Sequence, residues 1–77
     1  LFMFKFLEEF YEEQISEVTK YFPRAYMIYA DKDCFGAYDN DSKTAIGFNK
    51  ETEIWAINVD GNLSEPATTL SYLMKPR

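Results

Sequence analysis

Between Asp31 and Asn62 the chain is cut by four polar clusters at short intervals: Asp31-Lys32-Asp33, Asp39-Asn40-Asp41-Ser42, Asn49-Lys50-Glu51-Thr52 and Asp60-Gly61-Asn62. Asp, Asn and Ser favour turns because their short polar side chains bond to nearby backbone amides, and Gly because it tolerates left-handed dihedrals. The stretches between and beside these clusters, 25–30, 34–38, 43–48 and 53–59, are short and rich in Ile, Tyr, Phe and Trp. They predict four strands. The connections are too short for crossovers, so neighbouring strands pair antiparallel as successive hairpins.

Ahead of this region, residues 6–22 carry Leu7, Phe10, Tyr11, Ile15, Val18 and Phe22 at three- and four-residue spacing. That period predicts an amphipathic helix. Glu8, Glu9, Glu12, Glu13 and Glu17 fill its outer face, Lys20 lies near its C-terminal end, and Pro23 closes it. Phe2, Phe4 and Phe6 alternate, so residues 1–5 fit either an extension of the helix or a short strand. After the strands, Ser64 is a candidate N-cap with Pro66 in the first turn, and Leu70, Leu73 and Met74 form an apolar stripe. The predicted fold is α+β: an N-terminal helix, a four-stranded antiparallel meander and a short C-terminal helix, in a single domain over 1–77.

Alternation assigns faces. Trp55, Ile57 and Val59 are expected to meet the helices, with Ile54 and Ala56 opposite. Likewise Tyr26 and Ile28 oppose Met27 and Tyr29. Both faces carry apolar residues, and two helices cover one face, so the other is expected to be an exposed, aromatic-rich binding surface.

Composition narrows the function. Of 77 residues 47% are hydrophobic, enough for one core and too many for a disordered chain. The aromatic residues (seven Phe, six Tyr, one Trp) exceed what so small an interior holds, which places some at a surface or a dimer contact. Net charge is −5, which disfavours direct contact with nucleic acid or anionic membrane and favours basic protein surfaces. There is no His, removing the commonest general base and metal ligand, and a single Cys cannot form an internal disulfide. No apolar run approaches membrane-span length and no signal peptide is recognisable, so a cytoplasmic location is expected. The start at Leu1 rather than Met is expected of a trimmed chain or a fragment.

Several constellations invite a chemical reading. Asp31, Asp33, Gly36 and Asp39 fall at positions one, three, six and nine of a calcium loop, but Phe35 at five and Ser42 at twelve supply no carboxylate. A polar turn is the expected role. Asp39, Asp41, Glu51, Glu53 and Asp60 are expected to be solvated turn residues rather than an acid–base cluster. Cys34 has no His to activate it and sits in an apolar stretch, so it is expected to be a buried, inert thiol. Ser16, Ser42, Ser64 and Ser71 lack recognisable partners. No catalytic residue, metal site or cofactor is expected. The candidate partner-binding residues are Glu8, Glu9, Glu12, Glu13 and Glu17, together with Asp39 and Asp41, which can imitate a phosphate ladder. Tyr26, Tyr29 and Tyr38 are the candidate aromatic anchors.

The segments Ile28-Tyr29-Ala30-Asp31, Phe35-Gly36-Ala37-Tyr38-Asp39, Glu53-Ile54-Trp55-Ala56-Ile57 and Leu70-Ser71-Tyr72-Leu73 resemble the C-terminal half of SUKH-type immunity domains. That resemblance covers about fifty residues and implies a strand meander followed by a short helix in a toxin-neutralising protein. Ala37-Tyr38-Asp39 and Trp55-Ala56-Ile57 are similar to strands of small acidic phage inhibitors of uracil-DNA glycosylase, whose Glu-Ser-Ile element this chain lacks. Both resemblances imply non-enzymatic inhibitors. The expected function is therefore a small acidic protein-binding inhibitor, phage-encoded and of the anti-CRISPR kind, that blocks a nucleic-acid-handling enzyme. The alternative is an immunity protein that neutralises a toxin. Homodimerisation is left open.

Overall fold

A helical layer covers one side of an antiparallel sheet whose strands lie in the same order in space as in the chain. The structure is a computed structural model that describes residues 2–75, with side chains from Phe6 onward. The elements are α1 (Phe2–Phe10), α2 (Glu12–Tyr21), β1 (Tyr26–Ala30), β2 (Cys34–Asp39), β3 (Thr44–Asn49), β4 (Ile54–Val59), β5 (Asn62–Leu63) and α3 (Leu70–Leu73). The α+β class holds, with a fifth, two-residue strand added to the predicted four. From Phe2 onward the N-terminal residues extend the helix, while Leu1 lies outside the described residues.

The predicted helix over 6–22 is bent at Tyr11, which leaves helical dihedrals (φ −110°, ψ 27°). Hydrogen bonding carries through the bend, from Tyr11 N–H to Leu7 O (3.0 Å) and from Ile15 N–H to Tyr11 O (2.8 Å). Tyr11 is fully buried, and its hydroxyl donates to Asp31 O at 2.6 Å. The ring is thus committed to the β1–β2 turn as well as to the helix.

Asp or Asn side chains pin the turns. Asp31 Oδ1 accepts the amides of Asp33 and Cys34, both at 2.8 Å. Asp39 Oδ2 accepts the amide of Ser42 (3.1 Å), Asn49 Oδ1 that of Thr52 (2.9 Å) and Asn58 Oδ1 that of Gly61 (2.8 Å). The β2–β3 and β3–β4 loops end on left-handed residues, Lys43 (φ 53°) and Glu53 (φ 59°). Asp60-Gly61, both at positive φ, make the two-residue β4–β5 turn.

The core is built on one sheet face. Phe35, Phe48 and Trp55 stand side by side across β2, β3 and β4, as do Ala37, Ile46 and Ile57. All six are buried, packed with Val18 of α2, with Tyr11 and Phe22 at the two ends of α2, and with Leu70 of α3. Phe48 and Trp55 have ring centroids 4.7 Å apart, and Tyr11 and Phe35 5.2 Å. Val59 is on this face as expected but is exposed, at the far end of its strand.

Two expectations are corrected. Residues 64–67 form no helix start. Ser64 Oγ instead accepts the amide of Ile57 (2.9 Å), Ser64 N–H donates to Ile57 O (2.8 Å), and Ala67 bridges Trp55. Leu63 opposes Asn58 while Ala67 opposes Trp55, so one extra residue is accommodated and the chain keeps lining β4 past β5. Pro66, which has no N–H, is tolerated because this is a sheet edge. Helix α3 begins later, capped by Thr69, whose Oγ1 accepts the Tyr72 amide at 3.2 Å. The second correction concerns β1. A bulge between Met27 and Tyr29 breaks the alternation, so Ile28 and Tyr29 both stand on the uncovered face.

Candidate functional site

The expected binding residues separate onto the two sides of the sheet. Glu8 and Glu9 on α1, and Glu12 and Glu13 on α2, are exposed on the outer side of the helical layer, with Glu17 partly covered. They share that side because they lie within half a turn of one another, opposite the buried Tyr11, Val18 and Phe22. Among the described residues the ion pairs are Glu17 with Lys20 (3.1 Å) and Asp41 with Arg24 (2.6 Å). Among the described residues Glu8, Glu9, Glu12 and Glu13 have no ion-pair partner, and all four are exposed.

Glu8 and Glu12 also stand at the mouth of a cleft of about 390 Å³ between the helices and the β1–β2 end of the sheet. Its other walls are Ile15, Val18, Thr19, Ala25, Met27, Phe35 and Ala37. An apolar trough with two carboxylates at its lip suits a side chain with an aliphatic stem and a cationic head. Ile15 falls on the apolar stripe of the expected helix, while alternation sets Met27 only opposite Tyr26 and Ile28, and nothing in the spacing shows that helix and strand diverge here.

Tyr26, Tyr29 and Tyr38 lie on the opposite, uncovered face. Tyr26 and Tyr38 are cross-strand partners, with ring centroids 6.2 Å apart in an edge-on arrangement. The Tyr29 hydroxyl donates to Asp31 Oδ2. That bond lowers the Asp31 carboxyl and raises the Tyr29 phenol from their ordinary pKa values; the amides of Asp33 and Cys34 add to the effect on Asp31. Asp31 is thereby occupied in holding the turn.

Asp39 and Asp41 do not extend the acidic helix face. Asp39 is buried on the helix-covered side, and its Oδ2 accepts the Ser42 amide and hydroxyl (3.1 and 2.6 Å). Asp41 sits in the same turn, exposed and paired with Arg24. Cys34 is half-buried on the open face rather than enclosed in the core, with Asn49 Nδ2 3.9 Å from its sulfur. Its strand position places it opposite the buried Phe35.

The uncovered face contains no charged side chain at any strand position. Its centre is a row of small residues, Gly36, Gly47 and Ala56, paired directly across three strands. Tyr38, Ala45 and Asn58 flank it on one side, and Cys34, Asn49 and Ile54 on the other. Tyr26, Ile28 and Tyr29 form a ridge along β1, each about half exposed, and Leu63 closes the other edge at 73% exposure. A shallow depression of about 330 Å³ lies beside the small-residue row, reaching Cys34, Asn49, Ile54 and Pro66.

Among the described residues no group of three or more Cys, Asp or Glu could hold a metal ion, and no helix is long and apolar enough to cross a membrane. Comparison with family models, curated proteins and solved structures finds no match.

Proposed function

We propose that this chain is a non-enzymatic binding protein whose acidic helical face engages a basic protein surface, and that it inhibits a nucleic-acid-handling enzyme by occupying the groove meant for the phosphate backbone. The observation that carries this reading is the apolar cleft lipped by Glu8 and Glu12, beside the exposed Glu9 and Glu13. A Lys or Arg that normally contacts a phosphate would lay its stem along Ile15 and Met27 and its charge against the glutamates. The negative net charge adds long-range steering toward such a partner. A phage-encoded, anti-CRISPR-like role is the specific form we propose. The strand meander followed by a short helix supports the second reading, a toxin-neutralising immunity protein, and rescue of cells expressing a cognate toxin separates the two.

The test is affinity capture from nuclease-treated bacterial lysate with the native chain and with the triple variant Glu9→Lys, Glu12→Lys, Glu13→Lys. The expected result is a basic nucleic-acid enzyme retained by the native chain, released at moderate salt, inhibited in its own assay, and not retained by the variant. Identical capture by a folded triple variant overturns the proposal.

A further inference from the structure

We propose that a second copy of this chain occupies the open sheet face, two copies pairing face to face about a two-fold axis. Charge selects the occupant. Each copy carries a net charge of −5, yet none of that charge lies on the strand positions of this face. A basic partner would find no carboxylate at any strand position here, and the Asp31 carboxylate at the β1 end is already bonded to the Tyr29 hydroxyl, whereas an identical face meets it without opposing like charges across the strands. The chain has confined its charges to the helices, the turns and the covered side, which is the arrangement a self-pairing surface requires.

Shape points the same way. A two-fold interface must be complementary to itself. Here the β1 edge is a ridge of Tyr26, Ile28 and Tyr29, and the middle is a trough at Gly36, Gly47 and Ala56. Turning one copy over the other seats each ridge beside the other's trough. Stacked sheets lie about 10 Å apart, so large side chains need small ones facing them. The β1 bulge builds the ridge by turning two successive side chains, Ile28 and Tyr29, to the same side.

Area sets the strength. Four strands at about 4.8 Å spacing and six residues at about 3.4 Å give a face of about 400 Å² per copy. That is about half the share contributed by each partner in a standard interface. The dimer is therefore weak and exchanges readily.

Sedimentation equilibrium of the native chain from about 10 µM to about 1 mM tests the proposal, at low and at high salt. Pairing through a neutral face between two acidic bodies tightens as salt screens their repulsion, by about threefold or more. Two variants locate the face. Gly47→Lys fits without strain, because a Cβ there meets only Ala56 O at 3.8 Å. It lowers the net negative charge yet buries an unpaired cation at the centre of the interface. Ile28→Lys does the same on the ridge, at a position already about half exposed. Each variant is expected to weaken the dimer about tenfold or more while circular dichroism remains native. Ile28→Lys decides the matter if Gly47→Lys fails to fold. A monomer throughout the range, a dimer indifferent to the lysines, or a dimer that loosens with salt overturns the proposal. The glutamate triple variant keeps this dimer while losing a basic partner, so failure here and failure of the inhibitor reading are told apart.

Discussion

The two faces of the sheet use the same strands for opposite purposes. On the covered face, positions 35, 46, 48, 55 and 57 hold Phe, Ile, Phe, Trp and Ile, all enclosed by helices. On the open face, positions 36, 45, 47 and 56 hold Gly, Ala, Gly and Ala. Large side chains that interlock supply stability, and small ones leave a surface that something else can approach. The covered face builds the core and the open face does not, so substitutions on the open face are expected to cost the fold little.

The sharpest way to break that comparison is to truncate neighbours that point opposite ways. Trp55→Ala empties the covered face and is expected to cost about 3–5 kcal/mol. A domain of this length holds only about 4–12 kcal/mol in total. Thermal denaturation should show the midpoint lowered by about 12–40 °C. Ile54→Ala, next in the chain and facing outward, is expected to cost under about 1 kcal/mol by the same measurement. Equal losses would mean that the open face contributes to the fold as much as the covered one.

Tyr11→Phe probes the covered face more gently. It removes the hydroxyl bond to Asp31 O and is expected to cost about 1 kcal/mol. Burial first, then the nearby Asp31 charge, pushes the Tyr11 phenol up to about 12 from its ordinary 10. The folded state therefore favours the protonated form. Its contribution is complete below pH 10 and is lost as pH rises from about 10 toward 12, because the unfolded chain ionises first. Urea denaturation at stepped pH should show the native chain losing this increment and Tyr11→Phe lacking it. The smallest effect belongs to neither face. Glu53 holds φ 59° in its turn, so Glu53→Gly is expected to stabilise by about 0.5 kcal/mol, read as a raised denaturation midpoint.

The helix and the turns were legible because their signals are local. Periodic apolar residues from Leu7 to Phe22 and Asp or Asn residues ahead of each bend act on their own neighbours. Ser64 and Pro66 misled because a hydroxyl acceptor followed by a residue without an amide suits a helix start and a sheet edge equally. Only the arrival of β4 alongside decides between them. The types of residue in the candidate site were also legible, since clustered glutamates and surplus tyrosines stand out in so short a chain. Their placement on two sides was not. It depends on the register of β1, and one bulged residue there moves Tyr29 from the face its alternation assigns to the other. A bulge without glycine leaves no mark in the sequence.

The order of the strands has a consequence for how the molecule forms. Each of β1 to β5 pairs only with the strands before and after it in the chain. No strand must wait for a distant partner, and each hairpin closes a loop of a few residues at small entropic cost. Pairing between chain neighbours favours early formation of the sheet, while docking of the helical layer, which brings Tyr11 to Phe48, comes at longer range. The sheet can therefore zip together, one hairpin at a time, as the chain leaves the ribosome.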